Sequence, residues 1–274
     1  MKKLLNSNFK YFLVIIIIFI TIFFLLVQKK KNENTDEIPP LPQSEIIIEP
    51  IEIPFEPEVY FLEEERQKLL PNITTEKPPL QEIIIHDVPF TSQAPLANWD
   101  DKRQQDGCEE ASVLMAVKWG RQENLNTQEA LQEILAASDY ILEKYGEYRD
   151  TDLEAVLNWL IKDYFQYEKA EIKKNVTIND LIAELKNNRI IIMPANGQVL
   201  KNPNFTAPGP LNHMLLIRGY NPIKKVFITN DPGTRKGNLY EYDENILYNA
   251  LRTYPTGYKE ENLSPRKDVI IFWR

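Results

Sequence analysis

The chain has 274 residues, a net charge of −8, one cysteine and two histidines. That length holds one medium domain with attachments, or two small domains. One cysteine excludes an internal disulfide framework and any multi-cysteine zinc site, two histidines leave little for another metal or metal cofactor, and no basic stripe is present to neutralise the phosphates of a nucleic-acid partner.

The charge falls into three blocks. Residues 1–31 carry six lysines and no acid, residues 32–80 carry twelve acids against three basic residues, and the rest is mildly acidic. Residues 1–10 form a short basic tail. Tyr11 to Val27 is an apolar run that spans about 25 Å as a helix, the short end of what crosses a bilayer. It ends on Phe23-Phe24-Leu25-Leu26-Val27 and then Gln28-Lys29-Lys30-Lys31, with no small residues for a cleavage site, so an uncleaved anchor is expected rather than a signal peptide. Lysines flank the run equally. A short basic N-terminus ahead of a first span places the bulk of the chain outside the membrane. Nine of the nineteen prolines lie between Pro39 and Pro79, and with the acids they make 28–80 an extended linker.

The folded domain is expected over 81–274. Ile83 to Phe90 is β-rich, and a loop of turn formers follows. Asp106 is a good N-cap for an apolar helix starting at Cys108 and stopping at Gly120. Asn126-Thr127-Gln128-Glu129 opens a second helix as a capping box. Asp150 or Thr151 opens a third, with Leu153, Val156, Leu157 and Leu160 on one face. Thr177 to Lys186 is a fourth. Strands follow at Ile190–Met193, His213–Gly219, Val226–Thr229 and Val269–Trp273. Helices first and strands later, without regular alternation, predict an α+β fold.

Cys108 is the only thiol, and it stands at the positive end of a helix dipole, which favours thiolate. Glu109 and Glu110 push the other way, so a base is needed. Of the two histidines, His86 lies in the first strand-like run and faces no obvious partner. His213 opens a strand that can fold back about Asn221-Pro222-Ile223-Lys224 onto the strand ending at Asp231. That hairpin sets His213 within one residue of directly opposite Asp231, close enough for a carboxylate to hold an imidazole. Nucleophile, base and orienting acid are then Cys108, His213 and Asp231. The Cys108 backbone N–H is one oxyanion donor, and Gln93, Gln104 and Gln105 are the choices for a side-chain amide. Asn196 to Asn212, rich in proline and glycine, would form a mobile lip over the cleft.

Val88-Pro89-Phe90-Thr91-Ser92-Gln93, Asp106-Gly107-Cys108-Glu109-Glu110-Ala111-Ser112, His213-Met214-Leu215-Leu216-Ile217-Arg218-Gly219-Tyr220-Asn221 and Asn230-Asp231-Pro232-Gly233 resemble, in that order, motifs of papain-fold cysteine peptidases similar to bacteriocin-processing, double-glycine leader peptidases. The resemblance implies a papain-like fold, Cys108 as nucleophile, His213 as general base and then acid, Asp231 as its orienter and Gln93 as the oxyanion amide. It implies a peptide or protein substrate and no cofactor. One apolar span and no nucleotide-binding loop mean that the transporter-linked substrates of those enzymes are not carried over. A binding or adhesion module on the same fold, and a transglutaminase-like acyl transferase, are the competing expectations.

Overall fold

Ile190, Ile191, Ile192 and Met193 are apolar in succession because both faces of their strand are covered. In a computed structural model, which describes residues 82–257 and 265–274, strand β3 (Ile190–Ala195) is buried along its whole length. Ile190 and Ile192 pack with α2 (Cys108–Arg121), α3 (Thr127–Tyr145) and α4 (Leu153–Ala155, continued as a π-helical stretch Val156–Tyr164). Ile191 and Met193 pack with α5 (Ile178–Lys186) and α7 (Glu244–Ala250). Alternate side chains of a strand point to opposite faces, so an unbroken apolar run marks a strand covered on both sides.

The sheet is antiparallel, in the order β2 (Ala170–Lys173), β7 (Val269–Phe272), β3, β4 (His213–Asn221), β5 (Val226–Asn230), β6 (Tyr240–Asp243). A short β1 (Ile84–Ile85) pairs with Gly219 and Tyr220 of β4, beyond the point where β3 leaves it. The α+β class is as expected: helices precede most of the sheet. The described residues belong to the unit Thr75–Arg274. The basic tail, the apolar run at 11–27 and the linker lie outside the described residues, among which no helix is long and apolar enough to cross a membrane.

Several local expectations change. The β-rich run 83–90 yields only two strand residues, because β4 offers a free edge there only at Gly219 and Tyr220. Asp106 does not cap α2. It ends the short α1 (Lys102–Gln105), and Gly107 is the N-cap of α2. A Cβ on Gly107 would lie 2.6 Å from the Arg103 carbonyl oxygen, so the bend between the two helices requires glycine. Nor does Gly120 stop the helix, which runs on to Arg121 and closes with Gln122 in the left-handed region. Gly120 is instead a packing notch, since a Cβ there would sit 2.2 Å from the Tyr167 hydroxyl oxygen.

The hairpin forms, with its register displaced. The turn is residues 222–225, so Asn221 pairs with Val226, two residues from the expected alignment, and a bulge at Arg218 takes back one, setting Asn230 opposite Leu216. The Arg218 guanidinium is turned inward and donates to the His86 carbonyl and the Asn230 side chain. Bulged residues re-aim a side chain in this way. β2, β6 and the short helices α1, α6 (Gly197–Leu200) and α7 carry patterns too brief for periodicity to reveal.

Gly120→Ala is expected to destabilise the protein by about 1–3 kcal/mol through overpacking against Tyr167. Thermal unfolding of Gly120→Ala, alone and with Tyr167→Phe, checks this: the double variant, which has lost the hydroxyl, should recover part of the loss.

Candidate active site

α2 enters the middle of the molecule with its N-terminus against the start of β4. Ser112 Oγ, one turn into the helix, donates to the Met214 carbonyl at 3.3 Å, fixing helix to strand beside His213. Cys108 and His213 thereby line one cavity of about 440 Å³, together with Gln93, Trp99, Gln105, Asp150, Phe205 and Gly233 among others. Gly107 supplies no side-chain cap to α2. The N–H groups of the first turn are therefore not claimed by a capping side chain.

His213 is held from one side. Its Nε2 donates to Asp231 Oδ1 at 2.8 Å, and the Phe205 ring meets it edge-on with centroids 5.2 Å apart. Asp231 is fully buried and also accepts from Gly233 N at 3.0 Å, from Asn202 Nδ2 at 3.3 Å and from the Tyr242 hydroxyl. Burial works to raise its pKa, but the His213 charge and these donors outweigh it and hold the carboxyl below its ordinary range. Gly233 allows the approach: a Cβ there would stand 2.9 Å from His213 Cε1 and 2.8 Å from Phe205 Cε1.

The thiol meets acids rather than the imidazole. Cys108 Sγ donates to Glu109 Oε2 at 3.1 Å, and the Tyr254 hydroxyl donates to Glu109 Oε1 at 2.7 Å. Burial, then the neighbouring Glu109 and Asp150, push the thiol well above its ordinary value, while the Met214 backbone pulls modestly the other way. Glu109 and Glu110 are both fully buried. Burial, with Asp150 adding to it, raises Glu109 to about 8. Burial and then Glu109 raise Glu110 well above the carboxylate range. Burial thus favours the neutral form of the thiol and of both carboxyls.

Of the glutamines, Gln93 and Gln105 line the cavity and Gln104 does not. Gln93 Nε2 donates to the carbonyls of Gln104 at 3.1 Å and Gln105 at 2.6 Å, tying the chain just ahead of Cys108, while its Oε1 has no partner. The Gln105 side chain is exposed and accepts from Lys102 through Oε1. His86 stays outside the cavity, with Nε2 against the Leu185 carbonyl at 3.0 Å.

Residues 205, 206 and 209–212 of the expected lip do line the cavity, and the segment is tied at both ends. Asn196 N donates to the Ala250 carbonyl at 2.8 Å and Arg252 donates to the Leu211 carbonyl at 2.7 Å. Asn202, Tyr242 and Tyr254 were not foreseen, and Asp150, expected to open a helix, lines the cavity instead while Asp152 caps α4. The first three sit on separate elements, and no local pattern marks them. Among the described residues, no group of His, Cys, Asp and Glu could hold a metal ion.

Glu109 makes stability depend on pH. Its folded pKa of about 8 lies above the ordinary 4.5, so its contribution is complete below about pH 4.5 and is lost as pH rises to about 8. Urea unfolding at pH 5 and pH 8 should show the wild type losing more stability over that interval than Glu109→Gln, which does not titrate.

The family model described as Peptidase_C39 like family matches residues 85–258. A crystal structure from Bacillus anthracis, of a protein described as a C39-like peptidase, is similar at 15% identity and a TM-score of 0.41, covering 70% of this chain and 98% of that one. No curated protein matches the sequence. The matched span takes in Cys108, His213 and Asp231 and exceeds half of the length; the chain belongs to the Peptidase_C39-like family.

Proposed function

We propose that this chain is a membrane-anchored cysteine peptidase of papain-like fold, acting on a peptide or protein substrate. Cys108 attacks the carbonyl carbon of a peptide bond. His213 takes the thiol proton and passes it to the leaving amine, and Asp231 holds the ring in the tautomer that permits this. Water activated by His213 then hydrolyses the acyl-enzyme. The observation that carries the reading is the shared cavity: sulfur and imidazole line it together. His213 Nε2 is occupied by Asp231, which leaves Nδ1 as the ring nitrogen for the sulfur. Because burial keeps the resting thiol protonated, the thiolate forms as substrate is attacked rather than standing as an ion pair.

The oxyanion falls to the Cys108 backbone N–H and to Gln93, whose longer bond, to the Gln104 carbonyl at 3.1 Å, is the one to be exchanged for it. Gln105 is the other glutamine on the cavity wall. The apolar run at 11–27 anchors the protein, the acidic linker at 28–80 spaces it from the bilayer, and the domain faces the outside.

In detergent, the purified chain is expected to cleave members of a peptide library, with Cys108→Ala reducing the rate by at least about a thousandfold at unchanged thermal stability. Retained cleavage in that variant removes the assignment. The same assay on intact cells tests orientation, since only an outward-facing domain reaches added peptide. For the oxyanion donor, Gln93→Ala should lower kcat by about 10²–10³ and Gln105→Ala by much less; the reverse order would assign the role to Gln105.

A further inference from the structure

Glu109 is the partner of the sulfur, and its surroundings limit its charge. Its side chain is completely buried. Oε2 meets Cys108 Sγ at 3.1 Å and Oε1 receives the Tyr254 hydroxyl at 2.7 Å. Among the described residues no cation forms an ion pair with it. The ionisable groups facing it are Cys108 and Glu110 from its own helix, Asp150 ahead of α4, and Tyr254 after α7, while Asp106 faces Glu110. Of the nearby cations, Arg252 donates to the Leu211 carbonyl and the Asn212 side chain and interacts electrostatically with Tyr254, and Arg149 donates to Glu147. A carboxylate so enclosed is costly, and the neutral acid is the form such a pocket accepts.

We propose that Glu109 remains protonated in the working site and donates its carboxylic O–H to the Cys108 thiolate, so that the reaction needs an acid at Glu109 as well as a base at His213. In the resting site the thiol is the donor of this contact. Once its proton has moved to His213, the contact survives only if the carboxyl supplies the hydrogen, and Tyr254, by donating to Oε1, leaves Oε2 to carry it. The S–C bond then forms on the substrate carbonyl carbon, and the imidazolium gives its proton to the departing amine. Glu109 ends with the proton it began with. An ionised Glu109 would instead set a negative charge against the sulfur and suppress the thiolate. The inference rests on Cys108 as the nucleophile, but its test needs no substrate.

The chain has a single cysteine, so iodoacetamide reports on this thiol alone, and the full-length protein can be followed from pH 5 to 10. In the wild type the alkylation rate should rise, then level or fall as Glu109 ionises near pH 8. Glu109→Leu should alkylate about tenfold or more slowly at pH 7, a thiol pKa rise of at least about one unit. Glu109→Gln, which keeps an N–H donor, should recover most of that rate and rise with pH without the alkaline break. Tyr254→Phe removes a donor that favours the ionised carboxyl, so the break should move to higher pH. Superimposable profiles for wild type and Glu109→Gln would overturn the proposal, as would a Leu variant as fast as the wild type. Should the Leu variant fail to fold, the Gln and Phe variants still decide. If these profiles hold while no peptide is cleaved, the peptidase reading fails and the acid–thiol pair stands.

Discussion

A carboxylate with no access to water must be surrounded by donors, and around Asp231 those donors come from four places in the fold. His213 begins β4, Gly233 follows β5, Tyr242 lies in β6 and Asn202 follows α6. Asn202 Nδ2 also reaches the Tyr242 hydroxyl at 2.7 Å, so the ring of partners closes on itself. Charge-assisted bonds of this kind are stronger and more directional than neutral ones. The direction of the imidazole, and hence of its remaining nitrogen, is therefore set jointly by the ends of β4 and β5, by β6 and by the loops that carry Gly233 and Asn202. A bare Cα at position 233 lets the ring, Phe205 and the carboxylate stack without a gap.

The opposite wall of the cleft works on a different principle. A helix N-terminus favours a thiolate, yet α2 sinks Glu109 and Glu110 into the core directly after the sulfur. Burial favours the neutral form of both acids over two charges beside the sulfur.

The parts legible in the sequence are those written locally. Asn126 accepting from Glu129 N, and the Thr177–Asp180 capping box, start helices where the side chains require it. The apolar runs of β3 and β4 marked them as strands, and both prove to be covered on both faces. The His213–Asp231 pair was also reachable, because a hairpin relates the two by counting from its turn. The count was off because the turn lies at residues 222–225, one position later than the residues suggest, and nothing nearby announces the bulge at Arg218 that takes back part of the shift. Tyr254, which reaches Glu109 across 145 positions, is set by tertiary packing alone. The same holds for Gln93: its type and place were readable, but the two carbonyls its amide binds became visible only with the turn ahead of Cys108 folded.

The ladder ends on β2 at one margin and β6 at the other, each four residues long. Glu171 and Lys173 stand on the first, Glu241 and Asp243 on the second. Short, charged margins give a neighbouring molecule's strand little to pair with. Copies of the domain can therefore sit side by side without their sheets fusing into a continuous stack.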